Sequence, residues 1–263
     1  GRIVAALLLL SPCSGGTAGA QSTDIVALAK AGDDAAVHVL LEQGVAVDGT
    51  AGDGTTALHW AAYHQQAQLA SALLDAGASV NAANDLGVTA LWVASQNGHA
   101  PTVRRLLDAG ADAGLALLAG ETALMVAARS GAVEVVDLLL AHGADPEARG
   151  TRGQTALMWA VAQHHPDAVA RLLAGGANVH ARSDVWSEVM AAPPHGQPEY
   201  NREIPHGGNT ALMFAARGGD VASARTLIAA GANVDDTDAW GVSATTLAAH
   251  AGFGELVALL LEA

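Results

Sequence analysis

The sequence predicts an all-α solenoid, a row of stacked helix-turn-helix units. Three observations carry that prediction. A threonine opening a small-residue apolar segment recurs at Thr56, Thr89, Thr122 and Thr155, each 33 residues after the last. It returns at Thr210 after 55 residues, and as Ser243 after a further 33. Glycines give a second, independent count, because Gly44, Gly77, Gly110, Gly143 and Gly176 are also 33 apart and Gly231 follows after 55. The third observation is apolarity: Val135, Val136, Leu138, Leu139 and Leu140 leave the second segment of the unit too greasy to stand alone, so each unit needs the next as its neighbour. Both markers place one insertion of 22 extra residues in a regular array.

The elements follow in chain order. Arg2, the apolar run Ile3 to Leu10 and the small residues ending Ala18-Gly19-Ala20 have the three parts of a secretory signal peptide with an A-x-A cleavage site. Residues 1–20 are therefore expected to be removed and the chain exported, periplasmic or secreted. The apolar run is far shorter than the roughly 20 residues that span a bilayer, so no transmembrane segment is expected. Leu10-Ser11-Pro12-Cys13 resembles a bacterial lipoprotein box with a poorly fitting proline, which makes a lipid anchor at Cys13 in the envelope the alternative. Cys13 is the single cysteine, so the mature chain has no disulfide. Starting at Gly1, the chain is expected to lack its true start.

Residues 21–263 read as a single domain. Ser22 to Asp48 is a degenerate first unit, with Ile25 to Ala29 and Ala36 to Leu41 as its helices and a capping role at the end of the stack. The units opening at Thr56, Thr89, Thr122 and Thr155 are regular. In the most regular of them, Thr122 to Ala128 precedes Gly131 and Val133 to Ala141 precedes Gly143. Thr122 is placed to cap its helix through the backbone N–H three residues on, and the glycines to end each helix in the left-handed region. The insertion, Asp184 to roughly His206, contains Pro193, Pro194, Pro198 and Pro205, which are expected to exclude a regular helix or strand over most of its length. Trp186, Val189, Met190, Tyr200 and Ile204 are unusual in a solvated linker, so the insertion is expected to pack on the array or on a partner. The last unit ends at Ala263. Its apolar Leu256, Leu259, Leu260 and Leu261 favour a shortened array over a polar cap.

The motifs TALHWAA at Thr56, TALWVAS at Thr89, TALMVAA at Thr122, TALMWAV at Thr155 and TALMFAA at Thr210 are followed by GAS, GAD, GAD, GAN and GAN after the leucine pairs. With the period of 33, they make the chain resemble the ankyrin-repeat family from about Gln21 to its end. The resemblance implies β-hairpin-like fingertip loops between units and a protein-binding scaffold without catalysis. Two departures stand out. Alanine replaces the family's proline at Ala57, Ala90, Ala123, Ala156, Ala211 and Ala244. The family's histidine survives only as His59, with Trp92, Met125, Met158, Met213 and Thr246 elsewhere.

The family's concave face, carried over position by position, falls on Tyr63 and His64, Gln96 and Asn97, Arg129 and Ser130, Gln163, Arg217 and His250. The fingertips and insertion contribute Asp53, Asp85, Arg149, Arg152, Trp186, Met190, Tyr200, Ile204 and Trp240. Aromatic and arginine side chains of this kind suit an unidentified protein or peptide partner, bound by a monomer. Trp60, Val93, Val126, Trp159, Phe214 and Leu247 share one register and read as stacking between repeats.

Composition excludes several classes. Twelve basic against 26 acidic residues give a net charge of −14, which repels phosphate backbones and argues against nucleic acid. The densest set of potential metal ligands is His164, His165, His195, His206, Glu199 and Glu203, but it has no metal-binding spacing, and His164 and His165 are expected to diverge. No metal or cofactor is expected. Asp236 to Gly241 starts like a calcium loop, but Trp240 fills a ligand position and Leu247 stands where the bidentate glutamate belongs. No nucleophile or phosphate-loop motif is present. A metal-dependent or small-ligand protein using the histidine-rich insertion is the alternative reading.

Overall fold

The computed structural model describes residues 24–190 and 202–263. The segment expected to be a signal peptide (residues 1–20, with Cys13) lies outside the described residues, as do His195, Glu199 and Tyr200 and the side chains of Val189, Met190, Arg202 and Glu203. The described helices form seven pairs: α1 (Ile25–Ala31) and α2 (Asp34–Glu42); α3 (Ala57–Tyr63) and α4 (Ala67–Asp75); α5 (Ala90–Gln96) and α6 (Ala100–Asp108); α7 (Ala123–Ser130) and α8 (Val133–Ala141); α9 (Ala156–Ala162) and α10 (Pro166–Ala174); α11 (Ala211–Gly218) and α12 (Val221–Ala229); α13 (Ala244–Ala251) and α14 (Gly254–Glu262). Each pair packs on itself, and each member packs on its counterpart in the next pair. The result is two helical layers around one apolar core that runs from Ile25 to Leu260.

Local chemistry sets the helix ends. The Thr122 hydroxyl accepts from the N–H of Met125 at 3.4 Å, and Thr89 and Ser243 cap their helices in the same way. In the first unit Asp24 does this work, accepting from Val26 and Ala27. Gly131 closes α7 in the left-handed region at φ 70°. At the equivalent positions in two repeats the chain carries Gln65 (φ 61°) and His164 (φ 60°) instead of glycine. L-residues adopt that region at a cost of roughly 1–2 kcal/mol.

Fingertips between pairs are pinned by single antiparallel bridges, Thr50 to Thr56, Ala83 to Thr89, Ala116 to Thr122 and Thr237 to Ser243. A backbone hydrogen bond closes the turn inside each of these four, Ala51 to Thr55, Asn84 to Val88, Leu117 to Glu121 and Asp238 to Val242, and also in the fingertip from Gly150 to Gln154. The corresponding bond in the interrupted repeat joins Ser183 to Asn209, at 3.0 Å. The insertion is therefore spliced into the tip of one fingertip without disturbing its base.

The insertion's four prolines are expected to exclude a regular strand over most of its length; Pro193, Pro194 and Pro198 lie outside the described residues, and at Pro205 the expectation gives way to a strand. β1 (Val185–Met190) and β2 (Arg202–Gly207) form a two-stranded antiparallel ribbon, in register from Val185 opposite Gly207 to Met190 opposite Arg202. Pro205 sits inside β2, opposite Ser187. Proline is barred from central strands, but in a two-stranded ribbon both strands are edges, where a missing N–H is tolerated. Gly207, at φ 92°, makes the hinge: a Cβ there would collide with the Asp184 carbonyl and with the Trp186 ring.

Candidate partner-binding surface

Helix α3 leads into the first cluster. Trp60 is buried, with Tyr63 edge-on to its ring at 5.7 Å and His64 stacked on it at 6.1 Å. Lys30 Nζ lies 5.3 Å from the ring centre. The same arrangement recurs where the Arg129 guanidinium lies 4.8 Å from the centre of Trp159. In both cases the cation comes from the end of one repeat's first helix and the ring from the next repeat, 30 residues on. A cation over an indole face is worth about 0.5–1 kcal/mol when exposed, more when desolvated.

The pairing is confined to these two junctions, because the equivalent positions elsewhere carry Tyr63 with Val93, Gln96 with Val126, Ala162 with Phe214 and Arg217 with Leu247. In the fifth repeat the cation position is Ala162, whose ring partner would be Phe214. Phe214 is only half-buried, and a hollow of ≈ 220 Å³ opens there, lined by Arg129, Gln154, Trp159, Ala162, Gln163 and Phe214. In the sixth repeat the cation is Arg217 but the ring position is Leu247. Arg217 turns instead to Asp238 Oδ2, at 3.5 Å.

A second cleft, ≈ 520 Å³, lies between the ribbon and the fingertips beside it, lined by Arg152, Trp186, His206, Gly207, Asn209, Arg217, Asp238, Trp240 and Val242. Trp186 and His206, a cross-strand pair, stack at 5.8 Å, and His206 reaches Trp240 at 6.1 Å. The Arg152 guanidinium covers the other partner of this array, 4.4 Å from Trp186, on a backbone in the left-handed region at φ 59°. Backbone bonds tie the ribbon to both neighbours, from Asp184 to the Arg152 carbonyl and from Ala239 to the Gly207 carbonyl. Arg149 clamps the base through Asp184, at 2.8 Å, and through the Arg182 carbonyl. Arg182 in turn pairs with Asp236 at 2.7 Å. His206 Nε2 and Asn209 Oδ1 are buried without a hydrogen-bond partner, a state that costs about 1–3 kcal/mol per group.

Of the residues expected to meet a partner, Arg152, Arg217, Trp186 and Trp240 come together in this cleft, and Arg129 and Gln163 in the hollow beside it. Trp240 is 57% exposed. Ile204 is half-buried on β2. Others have internal duties: Asn97 donates to the Tyr63 carbonyl, His64 to the Lys30 carbonyl, Ser130 to the Ala127 carbonyl, and Asp53 accepts from the N–H of Thr55. Gln96 is half-buried, while Asp85 and His250 are exposed and distant in sequence from the ribbon. Trp60, Val93, Val126 and Trp159 are buried in keeping with the stacking reading, while Phe214 and Leu247 are half-buried, and Trp159 and Phe214 also line the hollow. Sequence reasoning singled out His206 only as a potential metal ligand, and it missed Asn209 and Leu118, a fingertip side chain 81% exposed. His164 and His165 diverge as expected: His165 reaches back to the Arg129 carbonyl, and His164 forward to Gly218 and Asp220. Among the described residues no group of three or more His, Cys, Asp or Glu side chains converges.

This hairpin stack, with its fingertips and its register, is matched by known proteins. The family model "Ankyrin repeats (3 copies)" matches residues 25–116 and 110–183, and the model "Ankyrin repeat" matches residues 207–239. The chain belongs to the ankyrin-repeat family. Between the matched segments lies the ribbon, the part of this ankyrin-repeat chain that departs from the family pattern. Among solved structures it is similar to the human ASB11 ankyrin repeat domain, with a TM-score of 0.72 and 28% identity over 90% of this chain and 96% of that one. No curated protein matches the sequence. Ankyrin repeats serve as protein-interaction scaffolds rather than as enzymes. No described helix is long and apolar enough to cross a membrane.

Proposed function

We propose that the protein is a non-catalytic scaffold of the cell envelope that holds a protein or peptide partner on its concave face and on the ribbon. The observation that carries this reading is the cleft at the ribbon's base, where exposed Trp240, Trp186 and two arginines converge. Tryptophan and arginine are the side chains that supply most of the energy in protein interfaces. Replacing residues 184–208 by a three-residue turn copied from Thr151-Arg152-Gly153 restores a regular fingertip, because the Ser183–Asn209 closure stays in place. That variant is expected to melt like the native protein and to lose a partner captured by the native chain from envelope extracts. An unchanged set of captured proteins sinks the ribbon's role. The envelope address rests on the signal-like residues 1–20. Expressed with that segment in a bacterial host, the mature chain is expected to begin near Gln21 by N-terminal sequencing, and retention of the segment in the cytoplasm overturns it.

A further inference from the structure

The charges around the two hollows are distributed in a way the net charge hides. Acidic residues outnumber basic ones by 26 to 12, and Arg104, Arg105, Arg149, Arg171, Arg182, Arg217 and Arg225 each lie within 4.0 Å of a carboxylate. Among arginines whose side chains are described, Arg129 and Arg152 depart from this pattern. Both are held over tryptophan rings, Trp159 and Trp186, one at each hollow. Arg217 is the third cation there, with its carboxylate at a long 3.5 Å. The two hollows adjoin. Phe214 lines one and Arg217 the other, three residues apart on one face of α11. Asn209, 6% exposed, lines the second with an unpartnered Oδ1.

Resting on the scaffold reading above, we infer that this surface takes an acidic segment of the partner, with carboxylates received by Arg129 and Arg152 and apolar side chains set against Phe214 and Trp240. A guanidinium stacked on an indole keeps its planar fork free at the edges. It is already ordered, so less entropy is lost when a carboxylate docks bidentately. The long-range repulsion of a −14 chain does not forbid this, since screening confines exposed charges to about 8–10 Å at physiological salt. A basic segment would meet Arg129, Arg152 and Arg217 at contact distance, which argues against it.

Polyglutamate is the probe, with polylysine of equal length and single-stranded oligo-dT as competitors, read by tryptophan fluorescence on the whole chain. Polyglutamate is expected to bind, to weaken as salt rises, and to lose about tenfold in affinity in each of Arg129→Gln and Arg152→Gln. Arg129→Lys and Arg152→Lys are expected to recover part of that loss. All four variants are expected to stay folded, with the glutamine variants losing about 0.5–1 kcal/mol each from the cation–indole contact, which is small beside the loss of polyglutamate binding. Equal or tighter binding of polylysine overturns the inference, as does tighter binding of oligo-dT, or indifference of polyglutamate to both glutamine variants. If the regular-fingertip variant loses its captured partner while polyglutamate fails to bind the native chain, the acidic partner falls and the scaffold reading stands. If capture is unaffected by that variant, the scaffold reading itself fails at the ribbon.

Discussion

His59 sits 1% exposed between two repeats. Its Nδ1 accepts from the N–H of Thr56 at 3.2 Å and faces the Thr56 hydroxyl at 2.8 Å, so the proton is assigned to Nε2, which donates to the Val88 carbonyl at 2.8 Å. Burial holds its pKa below histidine's ordinary value, partly offset by the Val88 bond and by Asp53. The sign of the consequence follows from linkage. Below about pH 6.5 the unfolded chain takes up a proton that the folded state refuses, so His59's contribution is complete above that pH and drains away as pH falls toward its lowered folded value. His59→Leu is expected to cost about 1–3 kcal/mol at neutral pH by orphaning the buried Thr56 N–H and removing one of the two bonds to the Val88 carbonyl, which keeps the bond from Asn84. It is also expected to shrink the stability lost between about pH 7.5 and 5.5, measured by urea unfolding. An identical loss in native and variant chains removes His59 as a source of acid sensitivity. Legibility varies at this scale. His59's motif position could be read directly, but the pairing of Arg129 with Trp159 could not. The pairing becomes visible only when residues 30 apart, in different repeats, are compared.

At the scale of elements, the regular helix pairs follow the glycine and threonine periods because each marker answers a local demand: a hydroxyl cap at Thr122, a left-handed stop at Gly131. Where the local demand is met by another residue, the period slips from view, as at Gln65 and His164. The ribbon was the element least accessible to sequence reading. Packing on the array or on a partner is expected of it, but Pro205 points away from a strand. The reason is topological. The cost of proline depends on whether a second neighbour needs the missing N–H, and a ribbon with no third strand asks nothing of it. The clefts follow from the same logic of neighbours. One exists because Ala162 leaves Phe214 uncovered, the other because Gly207 turns β2 back toward Trp240.

At the scale of the molecule, each helix pair is held by its own hairpin and by its neighbours, two for the five inner pairs and one for each end pair, and among the described residues the main helix contacts join adjacent repeats. Stability is then a sum of repeat terms and interface terms along one dimension. Leu139, fully buried in α8 at the middle of the stack, sits on such an interface. Leu139→Ala is expected to cost about 2–5 kcal/mol and, because the loss is local, to divide one unfolding transition into two. The protein carries its own reporters for this: Trp60 and Trp92 lie before the weakened repeat, and Trp159, Trp186 and Trp240 after it. Two companion proteins, each keeping the tryptophans of one side with phenylalanine on the other, are expected to give separate urea midpoints in the Leu139→Ala background and a shared midpoint without it. Leu260→Ala, in the terminal helix α14, is expected to fray one end and leave both midpoints close together. Coincident transitions in the Leu139→Ala pair would mean that coupling between repeats exceeds the cost of the cavity. In that case the ribbon and the first repeat behave as parts of one cooperative unit, and a partner bound at the ribbon stabilises the array as far as Trp60.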